Sequence, residues 1–308
     1  KKDDVFPSML QLGQYDGGQY MMPRDYNHLV TFYNATAFKD AGLDMPEDGW
    51  TWEQCVEAAR KLTKKDASGT VTQYGIDGSN FNWWAMAVPA IRGFGGDVVD
   101  ANGKVVVDSD QAAAGINALY ELAKEGIATN YAEKPSDTFQ TGQCAMLFHV
   151  RPLLSGIWEA AKDKWQPAVA TFPKFPVKGA VGTGTSGYAV SSKTTYPKEA
   201  AALVLFIASP EGQKVFNATG NAVPVLQSLA NDPSWRGVPS PEVNQDAFVK
   251  FPEFDSLPVE TLIPAGAAGP YNTARDELME QVFLGKMTAR EMVTEWAARI
   301  DTGIKEAS

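Results

Sequence analysis

Histidine and cysteine are scarce in this chain of 308 residues, which contains two of each. Because His28 and His149 are the only histidines, a catalytic arrangement built on histidine has few options. The sequence also lacks the motifs H-E-x-x-H, C-x-x-C, G-x-x-x-x-G-K-[ST] and G-x-S-x-G. These absences disfavour zinc proteases, thiol oxidoreductases, P-loop enzymes and serine hydrolases.

The chain also lacks a basic cluster and a long apolar run. Its formal net charge is −10, which disfavours nucleic acid and anionic membrane surfaces as partners. No stretch of about 18 apolar residues occurs, so no direct membrane insertion is expected for this chain. Lys1–Asp4 have no apolar region of the signal-peptide kind, so an export signal is expected to lie upstream.

The two cysteines have apolar neighbours. Cys55 lies on the apolar face of a predicted helix, and Cys144 begins the apolar run 144–148. We interpret both as small buried side chains and expect them to be unpaired. We expect no cofactor and no structural metal, and no calcium-type D-x-D-x-D loop is found.

Hydrophobic spacing and capping residues predict helices separated by short strands, and the length suggests about two domains. The predicted helices are 51–62, 82–91, 109–126, 197–208, 209–220, 271–284 and 288–300, of which 197–208 reads as apolar and buried. The predicted strands are 29–33, 104–107, 144–149, 168–172 and 187–191. Segment 232–270 is rich in proline and glycine but also aromatic, so we expect a packed irregular segment. This pattern predicts an α/β fold.

One stretch specifies both ends of a helix. Ser209 is suited to cap its N-terminus, Pro210 to occupy the first position, and Gly220 to end it. Further motifs accompany this stretch, in the order Tyr15-Asp16-Gly17 with Tyr20 and Pro23, Phe32-Tyr33-Asn34 with Phe38 and Ala41-Gly42-Leu43, Trp50-Thr51-Trp52-Glu53 with Leu62-Thr63, and Gly220-Asn221-Ala222-Val223-Pro224-Val225.

In this order and at this spacing, the motifs resemble the extracellular solute-binding proteins of sugar ABC transporters, the family that includes maltose-binding protein. The resemblance runs from Phe6 to Ile300. It implies a periplasmic-binding-protein-like fold of two α/β lobes with a ligand cleft between them, which the chain crosses more than once. Residues 1–26 and 187–256 would belong to the first lobe, and 27–186 and 257–308 to the second.

The resemblance also implies a function. Such a protein captures a carbohydrate, its lobes close over the ligand, and it delivers the ligand to the membrane permease subunits of an ABC transporter. It would be exported, as a periplasmic protein or a cell-surface lipoprotein. Family members carry on the order of a hundred residues before the segment that corresponds to Lys1, so the first lobe is expected to be incomplete in this chain.

Aromatic and amide side chains mark a candidate cleft. A sugar presents an apolar C–H face to an aromatic ring and hydroxyls to polar groups. Asn82 and Trp83 at a helix start provide both, and adjacent helical residues point about 100° apart, so one of Trp83 and Trp84 is expected in the cleft. The motif G-x-G-x-x-G at 182–187 precedes a strand rather than a helix, which disfavours a dinucleotide site.

The remaining candidates follow from the resemblance. It implies that backbone near Gly184 and Thr185 approaches the ligand at a crossing, and Asn27 follows another crossing. His149 and Arg151 follow a strand that opens into the cleft, although His149 is equally suited to a structural hydrogen bond. Tyr271 and Arg275 lie one helical turn apart, with Tyr271 as an aromatic contact and Arg275 as a ligand contact or a surface ion pair.

Two other functions stay open. A carbohydrate-active enzyme would need two carboxylates across a cleft, and 37 acidic residues prevent its exclusion by counting. A solute-binding protein for a non-sugar ligand is the other. A glycerol phosphodiester would recruit several Arg or Lys, for which Arg151 and Arg275 give thin support, and a polyamine would recruit carboxylates.

Overall fold

The computed structural model describes residues 2–15, 17–240 and 242–307. Asp16, in the first motif of the resemblance, lies outside the described residues, as do Lys1, Pro241 and Ser308.

The strands are β1 (Gln14–Tyr15), β2 (Gly18–Gln19), β3 (Met22–Pro23), β4 (Asp25–His28), β5 (Val30–Asn34), β6 (Lys64–Lys65), β7 (Val71–Asp77), β8 (Cys144–His149), β9 (Pro167–Thr171), β10 (Val181–Gly184), β11 (Gly187–Tyr188), β12 (Val223–Pro224) and β13 (Asp255–Ser256). The α-helices are α1 (Pro7–Leu12), α2 (Ala35–Asp40), α3 (Trp52–Leu62), α4 (Trp84–Gly93), α5 (Asp110–Lys124), α6 (Leu154–Ala161), α7 (Pro197–Ile207), α8 (Pro210–Asn217), α9 (Pro233–Arg236), α10 (Ala268–Phe283) and α11 (Ala289–Ala307). Short 3-10 helices cover Lys2–Asp4, Tyr131–Glu133, Arg151–Leu153, Gln227–Leu229, Gln245–Phe248, Pro252–Phe254, Val259–Thr261 and Ala265–Ala267.

A five-stranded sheet organises most of the chain, in the order β6-β7-β8-β5-β9. Strands β7 and β8 are parallel, and β5 is antiparallel to β8 and β9. Phe32 of β5 pairs with Leu147 and Val169, so all three side chains share one face. Mixed strands interleaved with helices confirm the predicted α/β class.

Each face of this sheet has its own apolar core. The larger core includes side chains from α3, α4, α5, α10 and α11. The smaller one includes Val30 and Phe32 of β5 together with Trp235 and Phe248, both fully buried. The prediction that 232–270 is a packed irregular segment is therefore confirmed for its described residues.

A second, four-stranded sheet joins distant parts of the chain, in the order β12-β4-β10-β13. The carboxylate Oδ1 of Asp255 in β13 accepts hydrogen bonds from the Tyr26 hydroxyl at 2.7 Å and from Thr183 Oγ1 at 2.9 Å. These bonds connect β4, β10 and β13, the segments at which the resemblance places chain crossings. The lobe boundaries themselves stay a prediction, and Phe32 and Phe248, assigned to different lobes, pack with ring centroids 6.2 Å apart.

The predicted caps are present. Thr51 and Gln54 form a capping box at α3, Ser109 caps α5, and the Ser209 hydroxyl accepts from the Gly212 amide at α8. Thr288 and Glu291 exchange the hydrogen bonds of a second capping box before α11. Because a capping residue acts on the adjacent turn, its effect is readable from sequence.

Two local predictions were wrong. Helix α7 was expected to be buried, but none of its residues is, and Leu203 and Leu205 are 60% and 63% exposed. Its main packing partner is α8, so its apolar composition does not correspond to a core position. Residues 104–107 form no strand, and Val105 makes only an isolated bridge with Val99.

Both cysteines are buried and form no disulfide, as expected. Cys55 belongs to the larger core and Cys144 to the smaller one. Burial raises the pKa of Cys55 above its usual range and that of Cys144 to about 12, so both thiols stay protonated at neutral pH.

Candidate ligand-binding site

A cavity of about 520 Å³ lies where the crossing strands meet the start of α4. This volume is within the range typical of small-molecule sites. The residues that line it are Leu12, Met21, Asn27, Trp83, Trp84, Ala85, Val150, Gly182, Gly184, Thr185, Ser186, Pro258, Glu260 and Thr261. Four of the predicted site residues are among them, namely Asn27, Trp83, Gly184 and Thr185.

Two indole rings form the aromatic part of the wall. Trp83 and Trp84 both line the cavity, with ring centroids 6.0 Å apart and planes 69° apart. The expectation that only one would do so does not match the structure. Trp83 is the N-cap of α4, with extended backbone angles of φ −62° and ψ 137°, so the helical rotation of 100° does not separate the two. Asn82, just before them, is half-buried and outside the lining set.

Two glycines allow β10 to approach Trp84 and helix α4 closely. A Cβ at Gly182 would lie 2.1 Å from the Ala85 carbonyl oxygen, and a Cβ at Gly184 would lie 3.3 Å from the Trp84 ring. Within the motif 182–187 the structure has β10 and the start of β11, and the next helix, α7, begins only at Pro197. The glycines therefore serve close packing rather than a nucleotide site.

A buried carboxylate fixes the polar part of the wall. Asp25 Oδ1 accepts from Asn27 Nδ2 at 3.0 Å and from the Ser186 amide at 2.8 Å. The Thr185 hydroxyl donates to the Asp25 carbonyl at 2.6 Å, and Arg24 donates to Asp25 Oδ2 at 2.7 Å. These bonds hold β4 and the end of β10 in one arrangement, which presents Asn27 and Thr185 to the cavity.

His149 lies behind the wall rather than on it. Its imidazole stacks on the Trp83 indole with centroids 5.3 Å apart. Its Nδ1 is buried and has no hydrogen-bond partner in the described part of the chain. Burial lowers the pKa of His149 from its ordinary value of 6.5, so the ring is neutral at physiological pH. His149 supports an aromatic residue of the site and does not line the cavity.

Arg151 points away from the cavity into the smaller core. Its guanidinium donates to Gln245 Oε1 and to the carbonyls of Trp235 and Val238. It also packs over the rings of Trp235 and Phe248. Burial lowers the pKa of Arg151 to about 10, so it stays charged at neutral pH. Arg151 therefore connects the end of β8 to the irregular segment 232–270 through hydrogen bonds and ring contacts.

Tyr271 and Arg275 share a helix face, as predicted, but neither lines the cavity. Tyr271 is fully buried and stacks on Trp296 with centroids 5.4 Å apart. Arg275 is also buried and donates to Asn272 Oδ1 at 2.7 Å. Asn272 in turn donates to Glu260 Oε1 at 2.8 Å, and Glu260 lines the cavity. Arg275 therefore connects to the site through two hydrogen bonds.

Several lining residues are outside the predicted set, and of these Trp84, Ser186, Glu260 and Thr261 carry polar or aromatic groups. Trp84 and Ser186 adjoin predicted site residues, so a wider window on each motif would have found them. Glu260 had no such marker, because it lies in a 3-10 helix of the irregular segment after β13.

The described residues contain no helix that is long and apolar enough to cross a bilayer. Within the same residues, no group of three or more His, Cys, Asp or Glu side chains is arranged to hold a metal ion.

The family description "bacterial extracellular solute-binding protein" matches residues 1–214, more than half of the chain. The chain belongs to this family, and the resemblance noted in the sequence is confirmed.

Relatives agree with this assignment. The sn-glycerol-3-phosphate-binding periplasmic protein UgpB of Pectobacterium atrosepticum is 26% identical over 277 residues, which cover 85% of this chain and 61% of that protein. The same protein of Escherichia coli K12 is 26% identical over 276 residues, which cover 85% of this chain and 62% of it. The chain therefore spans about three fifths of the length of these curated relatives.

Solved structures show the fold. An ABC substrate-binding protein from Listeria monocytogenes in complex with cycloalternan has a TM-score of 0.82 and 20% identity, covering 99% of this chain and 76% of that one. The cyclic alpha-maltosyl-1,6-maltose binding protein from Arthrobacter globiformis has a TM-score of 0.79 and 21% identity, covering 99% and 77%. The predicted two-lobed periplasmic-binding-protein-like fold is confirmed.

Proposed function

We propose that this protein captures a carbohydrate outside the cytoplasmic membrane and delivers it to the permease subunits of an ABC transporter. Binding in the cavity favours a closed arrangement of the lobes, and the permease recognises that arrangement. The protein is exported, to the periplasm or to the cell surface as a lipoprotein.

The observation that carries this proposal is the composition of the cavity wall. Trp83 and Trp84 offer two aromatic planes to apolar sugar faces, while Asn27 and Thr185 offer polar atoms to hydroxyls. All four lie on or beside the strands that connect distant parts of the chain. A ligand there contacts several crossing segments at once, which is what coupling of binding to lobe closure requires.

A phosphorylated glycerol is the second candidate, because the curated relatives are named for sn-glycerol 3-phosphate. The cavity wall favours the sugar, since none of its described lining residues is an arginine or lysine. The candidates Arg151 and Arg275, which motivated this alternative, both donate to other protein groups.

We infer a binding rather than a catalytic role. A glycosidase needs two carboxyl groups on either side of the scissile bond. Among the described lining residues Glu260 is the only acid. Incubation of the purified protein with oligosaccharides, followed by an assay for new reducing ends, tests this inference. Reproducible hydrolysis would overturn it.

A thermal-shift screen of the purified protein against mono- and oligosaccharides and sn-glycerol 3-phosphate tests the proposed ligand class. A sugar at a hundredfold excess over its Kd should stabilise the folded protein by about 2.7 kcal/mol. No shift with any sugar, confirmed by calorimetric titration, would overturn the proposal.

Single substitutions locate the binding site. Trp83→Ala and Trp84→Ala should each weaken sugar binding by about 1–3 kcal/mol, or about 5–150-fold in Kd. Trp158 of α6, half-buried against the smaller core and outside the cavity lining, provides the control variant Trp158→Ala. Equal loss of affinity in all three variants would argue against this cavity.

A further inference from the structure

Two oxygen atoms of the cavity wall lack hydrogen-bond donors. Asn27 Oδ1 and Glu260 Oε2 are both buried, and neither has a partner within the described part of the chain. Both residues line the same cavity. Because a buried acceptor left without a donor costs free energy, such atoms mark where a ligand donor fits.

Neighbouring residues fix the direction of both atoms. The Asn27 amide donates through Nδ2 to the Asp25 carboxylate, which leaves Oδ1 as the free end. Glu260 is held through Oε1 by Asn272 Nδ2 at 2.8 Å, and Asn272 is held through Oδ1 by Arg275 at 2.7 Å. Since Arg275 can only donate, Asn272 must present its amide hydrogens to Glu260. Glu260 Oε2 is thereby left without a donor among the described residues.

The charge at this wall is negative, and it forms no salt bridge within the described part of the chain. Glu260 is the only charged side chain among the described lining residues. Three arginines of the surrounding segments, Arg24, Arg92 and Arg275, each already bond an aspartate. A phosphate monoester, which carries about −1.5 to −2 charges, would meet the Glu260 carboxylate without a free cation. A neutral polyol would instead donate hydroxyl hydrogens to it.

We propose that Glu260, held in place by Asn272 and Arg275, determines specificity by accepting hydrogen bonds from hydroxyls of a neutral polyol and excluding phosphorylated ligands. The inference rests on the proposed function, because it takes this cavity as the ligand site. This role of Glu260 distinguishes the chain from the relatives named for sn-glycerol 3-phosphate. The purified protein should not bind sn-glycerol 3-phosphate.

The experiment compares Glu260→Gln with the wild type by calorimetric titration. The probes are the neutral sugar that gives the largest thermal shift and sn-glycerol 3-phosphate. Glu260→Gln should weaken binding of the sugar by about 10–100-fold, since a hydrogen bond to a charged group is lost. The same variant should narrow the preference for sugar over sn-glycerol 3-phosphate, because it removes the repulsive charge. Glu253→Gln removes the same charge from an exposed position on the same segment and should change neither affinity.

A double-mutant cycle tests the positioning role of Asn272. Asn272→Ala should weaken binding of the sugar in the wild-type background and have little further effect in Glu260→Gln. Additive losses of binding free energy would mean that Asn272 does not act through Glu260, and would overturn its positioning role.

The outcomes distinguish the two proposals. If the wild type binds sugar and Glu260→Gln binds it equally well, the role of Glu260 is wrong while the proposed function stands. If the wild type prefers sn-glycerol 3-phosphate, the exclusion of phosphate is wrong. If it binds no sugar, the proposed function fails, and the inference with it.

Discussion

The imidazole of His149 stacks on the indole of Trp83, with ring centroids 5.3 Å and planes 28° apart. His149 ends β8 and Trp83 is the N-cap residue of α4, so the contact joins the central sheet to the cavity wall. The pKa of His149 is lowered chiefly by burial. Protonation of the ring would therefore place an unsolvated charge directly behind an aromatic residue of the site.

This arrangement predicts a pH dependence of stability. The pKa of His149 is lower in the folded protein than its ordinary value of 6.5, so between these two values the unfolded chain binds more protons. His149 therefore makes the free energy of unfolding fall as pH drops through about 6.5, until pH is below the lowered folded value. His149→Phe keeps a stacking ring and should remove this part of the dependence. Urea unfolding of both proteins between about pH 5 and 7.5 measures it, and identical pH profiles would contradict the prediction.

Substitutions at Tyr271 should change the free energy of unfolding rather than the affinity for the sugar. Its ring is fully buried against Trp296, and its hydroxyl has no hydrogen-bond partner within the described residues. Tyr271→Ala should cost about 3–5 kcal/mol of folding free energy. Tyr271→Phe should change it by less than about 1 kcal/mol, because no hydrogen bond is lost. Urea unfolding measures both.

A different result is expected if Tyr271 contacts the ligand. The family resemblance predicts that it contacts the ligand, and in that case Tyr271→Ala would weaken sugar binding while leaving the free energy of unfolding nearly unchanged. Calorimetric titration of the folded variant separates that outcome from the one expected here.

Local signals in the sequence predicted much of the fold. Strand β8 has the bounds expected from its apolar run, and the helix caps occur where Thr51, Ser109 and Ser209 indicated. Strand β4, Asp-Tyr-Asn-His, was missed because its polar side chains bond to residues far along the chain. The contact between Tyr26 and Asp255 spans 229 positions, and no local pattern reveals it.

In the candidate site, too, residues with a local sequence signal were predictable and residues that depend on distant contacts were not. Trp83 was predictable because an Asn-Trp-Trp run at a helix start is unusual in composition and has a direct chemical use. Glu260 was not, since its function depends on Asn272, twelve positions later, and on a free oxygen atom. The candidates Arg151 and Tyr271 have side chains suited to a ligand, but tertiary packing buries them.

The exposed apolar residues of α7 should lower the solubility of the protein and contribute little to its stability. Leu203 and Leu205 are 60% and 63% exposed. Leu205→Glu should change the free energy of unfolding by less than about 0.5 kcal/mol, since glutamate also favours helix. It should raise solubility and reduce binding of a hydrophobic dye. Leu119, fully buried on α5, is the control, because Leu119→Glu should prevent folding. A loss of several kcal/mol in Leu205→Glu would mean that this face is covered in solution.

Two glycines of β10 should respond differently to the same substitution. At Gly182 a Cβ would lie 2.1 Å from the Ala85 carbonyl oxygen, a backbone atom that cannot move without shifting α4 or β10. Gly182→Ala should therefore cost about 3 kcal/mol or more of folding free energy.

At Gly184 the nearest atoms, 3.3 and 3.4 Å away, belong to the Trp84 ring, which can tilt by a few tenths of an ångström. Gly184→Ala should leave stability within about 1 kcal/mol but weaken sugar binding, because it displaces a ring of the cavity wall. Urea unfolding and calorimetric titration of each variant measure the two effects, and a larger stability loss at Gly184 than at Gly182 would contradict the close approach of β10 to α4.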